Sequence, residues 1–279
     1  MRRLTVGHSP DADDAFMFYA LSQGLVDVAG PEAVEIKPVH ADIQSLNEHA
    51  SEGTFDVSQI SAAAYPGVAD RYRITACGSS MGEGYGPVVV APSGMALNGL
   101  AGRRVAVPGP QTTAFLLAQM YLPAFEPIQL SFDQVFGAIH DGRADAGVVI
   151  HEGQITYESE GFMKVLDLGE AWFADTGLPL PLGINVVRRE LGDEWHCWVA
   201  VALAASIDYA KAHPADAQAY ARAVGPGVDG DIAERFTAMY VTERTRDMGP
   251  EGREALARLF SRSASQQGVT VPVDVVSLS

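Results

Sequence analysis

The sequence predicts an α/β protein of two lobes, each built on a mainly parallel sheet, with two hinge crossings and a ligand cleft between the lobes. Three observations carry this. Short apolar runs bounded by turn residues alternate with segments of helical spacing, the pattern of βαβ units. The alternation breaks at the Gly-rich stretch Gly78 to Pro87 and restarts with a fresh unit at Leu97. A second boundary, Pro179-Leu180-Pro181-Leu182-Gly183, precedes a returning strand and then only helices. Lobe 1 is therefore expected to be 1–92 plus 184–279, and lobe 2 to be 93–183. Clefts of this kind close on small ligands and exclude water.

Taken in order, Leu4–His8 is a strand broken by Pro10, and an aspartate of Asp11 to Asp14 caps a helix carrying Phe16, Tyr19, Ala20 and Leu21. Val34–Val39 is the second strand. Asp42 caps a helix ending at Gly53. Phe55–Ile60 is a strand, Ser61 caps a helix over 62–71, and Tyr72–Ser79 is a strand. The glycine cluster that follows lacks the Lys-Ser/Thr ending of a phosphate loop and is read as a loop before the strand Val88–Ala91. Lobe 2 holds strands at Arg104–Val107, Ile128–Ser131, Ala146–Ile150 and Lys164–Leu168, with helices from Thr112–Thr113 to about Tyr121 and over Asp133–His140. Ile184–Val187 returns. Trp198–Ala212, Ala215–Val224, Ile232–Tyr240 and Glu251–Gln266 read as helices, with no internal repeat.

Composition excludes several function classes. The 279 residues are 47% hydrophobic with 28 Gly and 16 Pro, which is globular rather than disordered. Nineteen basic against 35 acidic residues leave a net charge of −16, which argues against nucleic acid or an anionic membrane as partner. A local cradle of backbone N–H groups can still hold an anion. Cys77 and Cys197 form neither a disulfide framework nor a zinc motif. Arg2 and Arg3 precede no apolar leader segment, and no run is long enough to cross a bilayer. A cytoplasmic protein acting on a small molecule is expected.

Four segments sit just after strands, where open α/β sheets place ligands: Ser9–Asp14, Gln59-Ile60-Ser61, Thr112-Thr113 and His151-Glu152. Thr112 and Thr113 open a helix, whose first N–H groups and partial positive charge suit a carboxylate, with two hydroxyls as further donors. Ordinary capping explains the same residues, and Ser61 shares that ambiguity. An unperturbed His151 is mostly neutral at pH 7 and able to accept a proton. Metal readings fail: counting from Asp11, the EF-hand positions for Gly and Glu hold Phe16 and Ser22, and His151-Glu152 lacks the second zinc histidine because position 155 is Ile. No Gly-x-Ser-x-Gly elbow exists for a hydrolase. His40, His49, His140, His196 and His213 read as surface or structural.

The motifs Ser9-Pro10-x-x-Asp13-Asp14-x-Phe16, Val107-Pro108-Gly109-x-x-Thr112-Thr113-Ala114, Ile150-His151-Glu152 and Thr176-Gly177-Leu178-Pro179-Leu180-Pro181-Leu182-Gly183 occur in that order. Together they resemble the 1,4-dihydroxy-6-naphthoate synthase (MqnD) family of the futalosine route to menaquinone, over residues up to about 190. The resemblance implies a type II periplasmic-binding-protein-like fold. It implies a lyase that splits cyclic dehypoxanthine futalosine into 1,4-dihydroxy-6-naphthoate and dihydroxyacetone without metal or organic cofactor. It assigns His151 as proton acceptor, with Gln59, Ile60, Ser61, Thr112 and Thr113 binding the carboxylate substrate. Ser9 and Asp14 of the first motif join them as binding candidates. Many members carry Ser-Pro-Cys-Pro-Asn-Asp-Thr-Phe where this chain has Ser9 to Phe16, a change that replaces an amide and a hydroxyl and adds carboxylates. The alternative class is a solute-binding protein or ligand sensor, with the same lobes and anion cradle but no need of a base.

Overall fold

The computed structural model describes residues 1–92, 94–225, 229–267 and 271–278. The chain begins with β1 (Arg2–His8), α1 (Ala12–Ser22), β2 (Val34–His40), α2 (Ile43–Glu52), β3 (Val57–Ser61), β4 (Tyr72–Thr75) and β5 (Ser80–Gly82). It continues through β6 (Val88–Ala91), β7 (Arg104–Val107), α3 (Thr113–Tyr121), β8 (Glu126–Gln129), α4 (Val135–His140), β9 (Ala146–Val149), α5 (Gly153–Thr156), β10 (Met163–Asp167) and α6 (Leu168–Thr176). The last part is β11 (Leu180–Arg188), α7 (Asp193–Ala212), α8 (Pro214–Val224), α9 (Gly230–Tyr240), α10 (Glu243–Arg246), α11 (Gly249–Gln267) and β12 (Val275–Val276). One sheet has the order β12-β4-β11-β3-β1-β2, with β5 also on β11; the other has the order β10-β6-β9-β7-β8.

The expectation of mainly parallel sheets holds only where helices or turns carry the chain back. The pairs β1–β2, β1–β3, β4–β12, β7–β8 and β7–β9 are parallel. The strands next to the two crossings, β6 and β11, run antiparallel to their partners, as does β10. A strand arriving from the other sheet has no helical crossover to turn it round, so it enters from the opposite end.

Several local expectations also shift. The Pro-rich boundary at 179–183 is largely strand: Leu180 pairs with Gly82 and Pro181 with Met81, and the register slips between Pro181 and Gly183. A proline without an N–H is tolerated at such an irregularity. The glycine cluster therefore contains β5 rather than loop alone. The segment 62–71 forms only a 3₁₀ turn over Ala62–Gly67, because Pro66 inside it removes a donor. Asp167, read as strand, also caps α6 by accepting the Gly169 and Glu170 N–H groups at 2.8 and 3.1 Å. The expected strand at Ile128–Ser131 lies at 126–129, and that at 72–79 stops at Thr75. The short helix α5 and strand β12 had no expectation at all.

β9 is buried along its whole length. One apolar cluster runs from Ile60 and Ile74 in the larger sheet through Leu117 and Trp172 to Val105 and Val148 in the smaller, so the sheets share a core. No helix among the described residues is long and apolar enough to cross a membrane. Gly147, in the middle of β9, lets α4 approach: a Cβ there would lie 2.4 Å from Val135 Cγ1 and 3.1 Å from Ile139 Cδ1. Gly147→Ala is expected to lower the urea unfolding free energy by about 1–3 kcal/mol through overpacking. An unchanged unfolding midpoint would show that this contact is slack.

Candidate functional site

A cavity of about 80 Å³ opens between the strand ends of the two sheets. The larger sheet and its helix α1 contribute Asp13, Asp14, Gln59, Ser61, Ser80 and Gly183. The smaller contributes Thr112, Thr113, Ala114, Ile150 and His151, and α9 closes one side with Phe236 and Tyr240. At the rim, Gln44 of α2 exchanges hydrogen bonds with Gln111 at 3.1 and 3.2 Å, side chain to side chain and to the backbone N–H. Gly109 makes that approach geometrically feasible, since it sits at φ 138° and a Cβ would lie 2.4 Å from Gln44 Oε1.

His151 follows the end of β9 and is the one non-glycine among the described residues with positive φ, 53°. Left-handed backbone is uncommon for such a residue but accessible to histidine. The turn sends Nδ1 to within 2.9 Å of Asp11 Oδ2, while Phe132 meets the ring edge-on at 4.6 Å. Nε2 is buried with no partner among the described residues. Asp11 occupies the N-cap position of α1, yet its side chain caps nothing there. It accepts the Ser9 hydroxyl and faces His151 instead.

This pairing corrects the expectation of a neutral imidazole. Burial works to lower the His151 pKa, but the charge and hydrogen bond of Asp11, with Glu152 and Asp13 adding to them, push it up to about 9. Burial likewise works to raise Asp11, and the His151 charge and hydrogen bond hold its carboxyl below the usual range. The resting pair is an imidazolium and a carboxylate.

The other acids behave oppositely. Asp13 accepts the Ser80 hydroxyl at 2.9 Å, and burial and the Asp11 charge push it up to about 7. Asp14 is raised well above the ordinary value by burial, then by Asp13 and Asp11, and its Oδ1 is buried with no partner among the described residues. Glu152 is raised by burial and by Asp11. Crowded acids of this kind take up protons, and a protonated carboxyl donates a hydrogen bond rather than repelling an anion.

Of the residues the sequence singled out, Asp14, Gln59, Ser61, Thr112, Thr113 and His151 line the cavity; Ser9 and Ile60 do not. The Ile60 side chain is fully buried in the shared core. Ser9 is turned inward, its N–H donating to Gln59 Oε1 at 2.8 Å and its hydroxyl to Asp11. The two threonines are present, but their hydroxyls are not free donors. Thr112 Oγ1 donates to the Gly109 carbonyl at 2.8 Å, and Thr113 Oγ1 to the Leu182 carbonyl at 3.0 Å. Thr112 caps α3 through the Phe115 N–H, which leaves the N–H groups of Thr113 and Ala114 without a capping side chain, and both residues line the cavity. Ser61 is no side-chain cap. It accepts from Asn47 Nδ2 at 3.0 Å, and its own proton has no acceptor among the described residues.

Sequence reasoning missed the Asp11–His151 contact, Asn47 behind Ser61, and Phe236, Tyr240 and Gln154. The Gln154 amide satisfies both its ends when its nitrogen donates to Gly86 O at 2.6 Å and Tyr240 Oη at 2.7 Å while its oxygen accepts the His151 N–H at 3.3 Å. Burial, with the neighbouring Tyr85, raises the Tyr240 pKa well above its ordinary value, so its hydroxyl keeps a proton to donate. His8, behind Asp11, is driven down to about 3 by burial and stays neutral, stacked on Phe18 at 4.6 Å.

A protein-family model described as menaquinone biosynthesis matches residues 4–265. The chain is 39% identical over 272 residues to a curated "1,4-dihydroxy-6-naphtoate synthase" of Thermus thermophilus, covering 98% of this chain and 97% of that protein. An X-ray structure of a protein from Archaeoglobus fulgidus superposes with a TM-score of 0.88 at 44% identity, covering 95% of this chain and 98% of the other. The alkanesulfonate-binding protein of Xanthomonas axonopodis pv. citri, solved bound to MOPS, gives a TM-score of 0.70 at 16% identity over 99% of this chain and 98% of its own. The last likeness is one of fold alone, and it identifies the architecture as periplasmic-binding-protein-like.

The raised Asp13 pKa makes stability depend on pH with a definite sign. Asp13 keeps its proton in the folded chain up to about 7, whereas its ordinary value is 3.8. Its protonated form therefore supports the fold fully below the ordinary value, and that support is lost as pH rises toward about 7. Asp13→Asn cannot ionise. Its melting temperature relative to the unmodified chain is expected to rise between about pH 4 and about pH 7, and parallel curves would contradict the assignment.

Proposed function

The chain belongs to the menaquinone biosynthesis family, and from that premise we propose that it is a carbon–carbon lyase. The proposed reaction splits cyclic dehypoxanthine futalosine into 1,4-dihydroxy-6-naphthoate and dihydroxyacetone, and calls for no metal or organic cofactor. The observation that carries the reading is the buried Nε2 of His151, unpartnered among the described residues, beside a cavity that is also lined by Thr112, Thr113 and Ala114 at the start of α3. The substrate carboxylate would rest on the N–H groups of Thr113 and Ala114, where a helix terminus favours an anion. Ser61, Gln59 and Tyr240 supply polar contacts to the rest of the molecule. Ile150, Leu182 and Phe236 give its ring an apolar bed. The two sheets act as lobes that close over the substrate and exclude water. Because β6 (Val88–Ala91) pairs in the smaller sheet and β11 joins the larger from Leu180, the expected bounds of 1–92 with 184–279 and 93–183 move to about 1–87 with 180–279 and 88–179, with residue 93 outside the described residues.

In this reading Nε2 accepts a proton from substrate. With the imidazole pushed up to about 9, the base form is scarce near neutrality but correspondingly strong. The same ion pair favours a second reading, in which the imidazolium donates a proton to the departing oxygen. The pH profile separates them: kcat/KM climbs toward about 9 for the base and falls beyond about 9 for the acid.

Incubation with the cyclic futalosine derivative is expected to yield naphthoate. His151→Ala, in a sample shown to be folded by circular dichroism, is expected to lose turnover by at least ~10²-fold. Binding of the substrate without any product would mark a ligand-binding protein instead. Full turnover by purified His151→Ala would remove the histidine from the chemistry.

A further inference from the structure

We propose that Asp11 is the positioning residue of His151: once the imidazolium gives up a proton, Asp11 keeps the remaining one on Nδ1, so that the neutral ring turns a bare Nε2 to the cavity. The inference rests on the reading of His151 as the proton-transfer group and deepens it.

Four observations converge. The Nδ1–Oδ2 distance of 2.9 Å is that of a charge-assisted hydrogen bond, with both side chains largely withdrawn from water. Asp11 stands where an N-cap belongs but leaves the helix donors alone, so its orientation is explained by His151 and not by α1. The Ser9 hydroxyl donates to the same Oδ2, and Ser9 N–H is in turn anchored on Gln59, so the carboxylate has a fixed backing. On the far side, His151 takes up a left-handed φ of 53°, and the Gln154 amide oxygen accepts its backbone N–H. A ring nitrogen's protonation is set by the hydrogen bond the other nitrogen makes. Here Nδ1 is held and Nε2 has no partner among the described residues, which is the disposition a proton acceptor needs.

The charged groups facing the ring are Asp11 from the β1–α1 turn, Asp13 from α1 and Glu152 from its own turn. Phe132 and Phe236 face it without charge. Asp11 alone makes a direct bond, so its removal is the separable perturbation.

The test is ¹⁵N and ¹H NMR of the His151 ring in the full chain, together with the pH dependence of naphthoate formation. In the unmodified protein above its titration midpoint, the neutral ring is expected to carry its proton on Nδ1. A proton on Nε2, the usual preference of free imidazole, would overturn the proposal without any variant. Asp11→Asn is expected to lower the midpoint by at least one pH unit, a tenfold loss of proton affinity. The corresponding limb of the kcat/KM profile should move with it, and Asp11→Glu should restore both. A purely structural Asp11 would cut activity by one factor at every pH and leave the limb in place, which would also overturn the proposal. If the midpoint falls while no form of the protein makes naphthoate, the assigned reaction fails and the positioning stands. If naphthoate forms and the midpoint does not move, the positioning fails and the reaction stands.

Discussion

Nδ1 of His151 and Oδ2 of Asp11 lie 2.9 Å apart where water screens them poorly, and the surrounding structure is arranged to keep them there. Burying two charges is costly, and removing one member of such a pair typically costs about 3–5 kcal/mol because the other is left uncompensated. A left-handed non-glycine backbone adds a strain on the order of 1–3 kcal/mol. Both costs are met by the scaffold around the pair. β9 is anchored between β6 and β7 with all four residues buried, so the turn that follows it has a rigid base. Asp11 is tied to β3 through Ser9 and Gln59.

A pair held in this way brings the two sheets into one electrostatic unit. Asp11 belongs to the turn after β1, and His151 to the turn after β9 of the other sheet. The carboxyls of Asp13, Asp14 and Glu152 crowd around them, and burial and mutual repulsion push each toward its protonated form, which lowers the local charge below what the residue types suggest. On the proposed reading, this is how a protein of net charge −16 would offer a cavity to an anion. In that reading the attraction would come from the α3 terminus and the imidazolium, with the Tyr240 hydroxyl as a donor.

The parts legible in the sequence are those with local signals. Asp42 was readable as a cap and does accept the Gln44 and Ser45 N–H groups; Gly53 was readable as a stop and sits at φ 73°. β1, β3 and β9 stand out as short apolar runs bounded by turns, and their ends bring Gln59, Ser61, Asp14 and His151 to one cavity. The illegible parts depend on partners distant in the chain. Nothing near residue 11 announces His151. Phe236 and Tyr240 sit on α9 at helical spacing, which reads as core unless one knows what the helix covers. The Leu180–Gly183 segment looks like a linker because its prolines are visible and its pairing with β5 is not. The hydroxyls of Thr112 and Thr113 illustrate the same limit: the residue types suit an anion, but nearby carbonyls already take their protons.

The central claim is that one cavity presents a helix terminus to a carboxylate and Nε2 of His151 to the reacting part of the same molecule. A crystal structure of the chain with 1,4-dihydroxy-6-naphthoate bound tests it most directly. The account places the carboxylate on the N–H groups of Thr113 and Ala114, with the ring system inside the cavity and an oxygen or ring carbon next to His151 Nε2. Naphthoate bound elsewhere, or bound with its carboxylate on His151 and nothing at the start of α3, would contradict it.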